Sequence, residues 1–237
     1  MLASQMNEFK TWLKEHDNPT YRRMFAILKS IRACDIPTPK FFNKVVACAY
    51  QLVTTLLSAL IRVFIHTPAF KGKLDAYGRG LYLFGGVPFI SGPLSFSLGN
   101  DCRISGQTTF SARPQSQNPK LIVGSNVDIG WQSTFAVGQR IIIGDNVRIA
   151  GRAFLFGYSG HSLDAELRAQ GHGDLDENVG DIVLEKDVWL GTNVTVCPNV
   201  TIGEGTIVGT GSVVTKSLPP FVVAAGNPAR VVKQLNN

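Results

Sequence analysis

The sequence has few of the residues from which metal sites and disulfide frameworks are built. Its four cysteines, Cys34, Cys48, Cys102 and Cys197, lie far apart and never show CxxC spacing. We therefore expect reduced thiols and no metal site. The first residues are polar and charged and lack the apolar segment of a signal peptide, so the expected location is the cytoplasm.

A strong excess of charge is also absent, since the formal net charge is +6 over 237 residues. A basic balance of this size fits a nucleic acid, an anionic membrane surface or a phosphorylated ligand as partner. The chain shows neither a recognition-helix pattern nor alternating aromatic and basic residues. Nucleic acid is therefore not expected as a partner.

The first third of the chain has the pattern of helices. Segments 4–16 and 19–33 carry spaced apolar residues among charges, and Pro37 and Pro39 mark a break after them. We therefore predict a helical region over residues 1–70, followed by a lead-in over 71–96.

Residues 41–66 form an apolar segment with one narrow polar face. On a helical wheel the polar face contains Gln51, Thr54, Thr55, Ser58, Arg62 and His66, and the opposite face contains Val45, Leu52, Val53, Leu56, Leu60, Val63 and Phe64. This pattern favours a helix lying in a membrane interface, beside basic residues that would face anionic headgroups. The two alternatives are packing on the protein's own body and a true membrane span, since the segment would be about 33 Å long as a helix.

From about residue 97 an aliphatic residue recurs every six positions. Six consecutive members follow the rule without a slip: Leu184, Leu190, Val196, Ile202, Val208 and Val214. A step of two between Ile141 and Ile143 predicts a small bulge at a corner. This period is typical of triangular coils of about eighteen residues, in which three short strands each turn one aliphatic side chain inward. We therefore predict a parallel β-helix over residues 97–237.

The repeat is interrupted by a polar, glycine-rich loop over residues 157–181, which contains both histidines of the repeat domain. Loops extruded from a rigid scaffold often carry function, and histidine is the side chain suited to general base catalysis near neutral pH. The two histidines, His161 and His172, are therefore the candidate bases of this loop, although His172 is expected to be a solvated loop residue. The acidic residues of the loop are expected to be solvated too, with Asp164 as a possible orienting partner of His161.

The motifs GHSLDAELR (160–168) and DVWLGTNVTVCPNVTIGEGTIVGTGSVVTKSLPPFVVAAGNPARVV (187–232) resemble the hexapeptide-repeat acyltransferases. The resemblance is to the maltose and galactoside O-acetyltransferase branch and its polysaccharide-modifying relatives. It covers residues 97–237 and leaves the helical first third unmatched. The resemblance implies a left-handed parallel β-helix, a homotrimer with active sites between subunits, and acetyl-CoA as cosubstrate.

The same resemblance implies roles for individual residues. The histidine matching His161 deprotonates the acceptor hydroxyl. The positions matching the coenzyme side are Trp189, Thr192, Thr210, Thr215, Lys216, Arg230 and Lys233. We expect Gln132, Tyr158 and Asp164 on the acceptor side. Gly130 stands where many sugar O-acetyltransferases have an asparagine, so the acceptor is held differently here or Gln132 takes over that role.

Together these observations predict acetyl transfer to a sugar hydroxyl of a cell-envelope polysaccharide, a lipopolysaccharide or a lipid-linked precursor. N-acylation of an amino sugar is the alternative within the class. A zinc hydratase of the γ-carbonic-anhydrase type is a different class on the same scaffold, but it needs three imidazoles around one ion, and the repeat domain has two histidines. A scaffold without catalysis is the third possibility.

Overall fold

A computed structural model describes residues 2–236, and the chain divides between Thr55 and Leu56 into two units. The helices are α1 (Leu2–Glu15), α2 (Pro19–Arg32), α3 (Lys40–Ile61), a π-helical turn (Arg62–His66), α4 (Thr67–Lys71) and α5 (Ala165–Ala169), with a 3₁₀ turn at Asp176–Asn178. Helices α1 and α2 agree with the predicted segments to within two residues. Helix α3 begins directly after Pro39, where the sequence predicts the break.

Helices α1 and α2 form a helical hairpin. Leu13 is the buried residue of α1, and the Trp12 and Tyr21 rings lie 5.0 Å apart. The side chain of Asn18 accepts a hydrogen bond from the backbone N–H of Thr20 at 2.9 Å and so caps the start of α2. The ring of His16 lies 4.7 Å from that of Tyr21 as well, so ring contacts and the cap hold a hairpin that has little buried core of its own.

Helix α3, the π-helical turn and α4 form one continuous helix from Lys40 to Lys71. On length and composition alone, it is the helix in the described part of the chain that could cross a membrane. Phe70 is its buried residue, and none of residues 40–69 is buried. Within the second unit, the large apolar side chains of residues 56–66 are exposed, so this part of the apolar face does not pack on the β-helix, as one of the three alternatives above would require.

The second unit is a parallel β-helix of about seven turns built from three sheets. Sheet A contains β1 (Ala76–Tyr77), β4 (Ser95–Leu98), β7 (Lys120–Val123), β10 (Arg140–Ile143), β13 (Ile182–Leu184) and β16 (Val200–Ile202). Sheet B contains β2 (Tyr82–Phe84), β5 (Arg103–Ser105), β8 (Asp128–Ile129), β11 (Arg148–Ile149), β14 (Trp189–Leu190), β17 (Ile207–Val208), β19 (Val222–Gly226) and β20 (Ala229–Gln234). Sheet C contains β3 (Phe89–Ser91), β6 (Thr109–Ala112), β9 (Thr134–Val137), β12 (Phe154–Phe156), β15 (Thr195–Val196) and β18 (Val213–Val214).

The six-residue rule is confirmed in the interior of the β-helix. The aliphatic positions of the uninterrupted run, Leu184 to Val214, are fully buried, and the strands that contain them pair in register from one coil to the next. Each coil therefore buries the apolar layer of the next, as the sequence predicts. The antiparallel pair β19–β20 ends sheet B.

Two details differ from the prediction. The segment 71–96, predicted as a lead-in, already contains β1, β2 and β3 and forms the first coil, with Leu83 buried inside it.

The predicted bulge between Ile141 and Ile143 is absent, because both side chains point inward from one regular strand that pairs in continuous register with β7 and β13. A step of two is the ordinary alternation within a strand.

Four phenylalanines form a column inside the first coils. Phe70, Phe96, Phe110 and Phe135 are fully buried, and successive ring centroids are 6.0, 4.9 and 5.1 Å apart. Offset and edge-to-face aromatic contacts at such distances add to the free energy of burial. Through Phe70, the end of the long helix is part of the apolar core of the β-helix.

Removal of one phenylalanine ring tests how much the column stabilises the fold. We expect Phe110→Ala to lower the free energy of unfolding by about 3–5 kcal/mol, because it removes buried surface and leaves a cavity. Phe89→Ala is the matched control, since this ring is exposed, and it should change stability by less than about 0.5 kcal/mol. Urea unfolding followed by circular dichroism at one protein concentration measures both. Equal losses for the two variants would contradict the role of the column.

Candidate active site

The loop over residues 157–181 leaves the β-helix at the end of β12 and returns at the start of β13, as the sequence predicts. It lies at the corner where the chain passes from sheet C to sheet A, called here the C–A corner. The N–H of Gly180 donates to the carbonyl oxygen of Gly157 at 2.9 Å, and a Cβ on Gly157 would lie 2.7 Å from the Gly180 oxygen. Two glycines thus close the neck of the loop, and the coil continues as though the loop were absent.

A buried arginine fastens the loop to the β-helix. Arg113 follows β6, and its Nε donates to Asp174 Oδ1 at 3.0 Å while another guanidinium nitrogen donates to the Asp174 carbonyl oxygen at 2.8 Å. Asp174 Oδ2 accepts from the backbone N–H of Ser159 at 2.9 Å and of Gly160 at 3.3 Å. Arg113 and Asp174 are both buried, whereas Asp176, which Arg113 contacts at 2.7 Å, is exposed. We call Arg113, Asp174, Ser159 and Gly160 the loop clamp.

The clamp corrects the expectation that the acidic residues of the loop are solvated. Burial by itself raises the pKa of the Asp174 carboxyl, but hydrogen bonds from Arg113, Gly160 and Ser159 outweigh it and hold that pKa below its usual value. Burial likewise opposes the charge on Arg113, and its two aspartate partners nevertheless raise the pKa of the guanidinium. The ion pair is therefore charged on both sides and fully hydrogen-bonded on the loop side.

His161 follows directly after the clamped residues and is exposed. Its backbone carbonyl accepts a hydrogen bond from Ser159 Oγ at 3.1 Å, and within residues 2–236 its imidazole makes no hydrogen bond. The turn is fixed on the other side as well, because Arg168 donates to the carbonyl oxygens of Ser162 at 2.8 Å and Leu163 at 3.1 Å. The imidazole is thus unpaired within the described residues, while the backbone around it is held from both sides.

The neighbours of His161 differ in how far they match the expected roles. Asp164 Oδ1 accepts from the N–H groups of Glu166 at 2.8 Å and Leu167 at 2.9 Å, so this carboxylate caps α5 and does not contact the imidazole. Tyr158 is half-buried beside the neck of the loop, and His172 is exposed.

A polar cleft of about 480 Å³ lies beside the neck of the loop at the C–A corner. Its lining is rich in amide and guanidinium groups and includes Asn118, Lys120, Gln139, Arg140, Gly180 and Asn199. Arg140 is held there by Asp181, to which it donates at 2.6 and 2.9 Å. Sequence reasoning missed this cleft because its residues come from four coils and no motif joins them.

Three of the expected residues lie at the B–C corner, where the chain passes from sheet B to sheet C. Thr192 and Thr210 occupy successive coils there, and the N–H of Gly211 donates to the Thr192 carbonyl oxygen at 2.9 Å. Gln132 lies at the same corner of an earlier coil, with a left-handed backbone at φ 57°. Trp131 beside it is exposed and lies 5.6 Å from the guanidinium of Arg152, a pair that the sequence analysis did not single out.

The other coenzyme-side residues are divided between sheet B and the C–A corner. Trp189 is exposed on β14 and shares a row of sheet B with Lys233 through Ile207 and Val223. Arg230 lies on the same terminal strand as Lys233. The exposed residues Thr215 and Lys216 follow β18 and so lie at the C–A corner, in line with the strand from which the loop leaves.

The remaining polar groups do not suggest other chemistry. Burial raises the pKa of the Cys102 thiol, despite a hydrogen bond from the backbone of Val127 that lowers it, and burial raises that of Cys197. Among the residues that the structure describes, no three His, Cys, Asp or Glu side chains are grouped closely enough to hold a metal ion.

Comparison with known proteins identifies the repeat. Residues 181–216 match the family model for the bacterial transferase hexapeptide (six repeats). The chain is 39% identical over 120 residues to a galactoside O-acetyltransferase of Escherichia coli K12, covering 48% of this chain and 57% of that protein. It is 38% identical over 118 residues to a polysialic acid O-acetyltransferase of Escherichia coli O1:K1, covering 47% and 37%. The match thus spans less than two thirds of either relative.

Solved structures show the same fold. The chain superposes on AntD, an N-acyltransferase from Bacillus cereus in complex with dTDP and 3-hydroxybutyryl-CoA, with a TM-score of 0.58. The superposition covers 73% of this chain and 89% of that one at 22% identity, which shows similarity of fold. Residues 181–216 thus carry the bacterial transferase hexapeptide repeat, and the β-helix that contains them is similar in sequence to hexapeptide-repeat acetyltransferases and in fold to a hexapeptide-repeat acyltransferase.

Proposed function

We propose that the protein is an acetyl-CoA-dependent O-acetyltransferase that acts on a sugar hydroxyl of a cell-envelope polysaccharide, a lipopolysaccharide or a lipid-linked precursor. One observation carries the proposal: the imidazole of His161 has no hydrogen-bond partner among the described residues of its own chain, yet its backbone is held by a buried clamp. The names of the two E. coli relatives, a galactoside and a polysialic acid O-acetyltransferase, support the acceptor class.

The geometry supports direct transfer with His161 as general base. The imidazole takes the proton of the acceptor hydroxyl as the hydroxyl oxygen attacks the thioester carbonyl carbon. The resulting tetrahedral intermediate collapses with cleavage of the carbon–sulfur bond, and the imidazolium returns the proton to the departing thiolate. The products are an acetyl ester and free coenzyme A, and the enzyme returns to its starting state. The polar cleft beside the loop offers amide and guanidinium groups for the other hydroxyls of a sugar.

Acetyl-CoA would bind along the residues that the resemblance assigns to it. Lys216, Arg230 and Lys233 are exposed cations suited to the coenzyme phosphates, since such hydrogen bonds are charge-assisted. Trp189 offers an exposed ring, and Thr192 and Thr210 offer stacked backbone groups on successive coils. The acyl-CoA complex of the AntD structure is in keeping with this choice of cosubstrate.

We further propose a homotrimer in which one chain supplies His161 and its neighbour supplies the B–C corner. Within one chain the loop with His161 lies at the C–A corner, whereas Thr192 and Thr210 lie at the B–C corner. Sheet C separates the two corners. Closed threefold symmetry would bring the loop of each chain to the B–C corner of the next with identical contacts.

Substitution of the base tests the mechanism. His161→Ala should lower kcat by about two to four orders of magnitude and leave the Kd for acetyl-CoA nearly unchanged, because the imidazole acts on the acceptor proton. His172→Ala is the control and should have little effect. Release of free thiol from acetyl-CoA gives the rate, and a mass increment of about 42 Da on envelope glycans identifies the product. Activity of His161→Ala within threefold of the parent would remove His161 from the mechanism.

The native mass tests the shared site. Light scattering should give about three times the chain mass of 25.7 kDa. A monomeric mass in the buffer in which the enzyme is fully active would contradict the shared site, while leaving direct transfer by His161 open.

Substitution of Arg113 tests whether the clamp positions His161. Arg113→Gln leaves the Asp174 carboxylate buried without its cation, which is strongly destabilising. We expect faster hydrogen exchange at Ser159 and Gly160 and a kcat about 10–100-fold lower, since small displacements of a catalytic group are costly. The KM for acetyl-CoA should hardly change.

Arg103→Gln is the matched control, because it breaks an exposed arginine–aspartate pair in sheet B, outside both the loop and the polar cleft. Its kcat should stay within about threefold of the parent. Unchanged exchange and unchanged kcat in Arg113→Gln would show that the loop is held in some other way.

A further inference from the structure

The last part of the long helix, Leu56–Lys71, is fixed to the first coil of the β-helix. Phe70 enters the core, and the guanidinium of Arg62 lies 4.5 Å from the centre of the Tyr82 ring. Lys71 lies 4.7 Å from the centre of the Tyr77 ring. Arg62 and His66, both from the narrow polar face, are half-buried. The helix therefore turns its polar side toward the β-helix.

The apolar side consequently faces away from the protein. Leu56, Leu60 and Phe64 are 57%, 55% and 73% exposed, and Val63 is exposed as well. An amphipathic helix that packs on a folded domain does the reverse and buries its apolar stripe. A contiguous apolar surface of this kind on a folded protein marks a place where something else binds.

The surroundings of this surface are aromatic and basic. Tyr82 and Phe84 are exposed, stack at 6.5 Å and adjoin the helix through Arg62. Between Ile36 and Leu74 the chain has five basic residues and no acidic one; the basic residues are Lys40, Lys44, Arg62, Lys71 and Lys73. Exposed aromatic rings are enriched at membrane–water interfaces, and clustered lysine and arginine favour anionic lipid headgroups.

We propose that the apolar face of residues 56–66 docks the protein on the surface of an anionic lipid bilayer. We call this the docking surface. The helix lies in the plane of the interface, with its apolar side chains among the acyl chains and its basic residues at the headgroups. The docking surface stands independently of the proposed transfer reaction, and it would bring the enzyme to acceptors that stay in the membrane.

Two other arrangements of this helix fit the observations less well. A second copy of the chain would bring five more positive charges against the same segment with no acidic residue to pair with them. A full crossing would surround the helix with lipid on all sides, including the stripe of Gln51, Thr55 and Ser58 that leads to Arg62. The in-plane position leaves that stripe out of the acyl chains.

Flotation of the full-length protein with liposomes tests the proposal. Vesicles of phosphatidylcholine with a third of phosphatidylglycerol should carry the parent protein, and vesicles of phosphatidylcholine alone should carry much less. Rising salt should weaken binding to the anionic vesicles without abolishing it, because salt screens charge and leaves apolar burial intact.

Two double variants separate the apolar face from net charge. Leu56→Glu with Leu60→Glu should lower flotation at least about tenfold, because it places charge in the apolar face. Thr55→Glu with Ser58→Glu adds the same charge on the polar side and should lower flotation by no more than about threefold. Both variants should have the same circular dichroism spectrum and native mass as the parent protein. They should also release thiol from acetyl-CoA at the parent's rate when the acceptor is soluble. Equal flotation of the parent protein and the Leu56→Glu, Leu60→Glu variant would overturn the proposal. A change of native mass in that variant alone would also overturn it, because it would show that this face lies between chains.

The exposed Cys34, which precedes the helix, distinguishes docking from crossing. In inside-out membrane vesicles from cells making a Cys48→Ser, Cys197→Ser variant, a membrane-impermeant maleimide should label Cys34. Protection of Cys34 until detergent is added would show that the helix crosses and would overturn in-plane docking. These measurements need no catalysis, so failure of the transfer reaction and failure of docking are distinguishable.

Discussion

The whole β-helix depends on one constraint: each coil must return to its starting position so that its backbone can pair with the coil above. The N–H of Gly144 donates to the carbonyl oxygen of Leu184 at 2.7 Å, and the N–H of Gly124 donates to that of Ile143 at 2.8 Å, although these partners are far apart in sequence. Six residues per side meet this requirement and also place one aliphatic side chain in the interior. A long insertion is therefore tolerated only at a corner, and only if its ends meet, as Gly157 and Gly180 do.

The same constraint explains which parts of the molecule could be predicted. The inward positions and the bounds of the inserted loop follow from a local spacing, and the position of His161 in that loop is visible in the sequence. The first coil was missed because the step from Leu83 to Ile90 is seven residues and not six. The six-residue repeat of aliphatic positions is therefore not recognisable at this coil.

The clamp between Arg113 and Asp174 was missed for a different reason. The two residues are 61 positions apart, and their pairing depends on where the loop folds back rather than on any spacing. Asp174 stands among other acidic residues that are indeed exposed, so composition points to solvation for all of them. Only the three-dimensional path of the chain distinguishes the one that is buried. Similarly, a helical wheel shows that the long helix has two faces, but not which of them the folded domain covers.

The column of phenylalanines has a consequence for the assembly of the chain. A coil that pairs with the coil above it presents the same unpaired edges at its lower end, so stacking of this kind has no intrinsic length limit. At the first coil, Phe70 is the terminal ring of the apolar column, and it attaches the helix that precedes β1 to the core. The ring covers the end of the apolar interior, so a further coil would meet no open apolar layer on which to stack. Phe70 is thus a core residue that also marks where the stacking of coils ends.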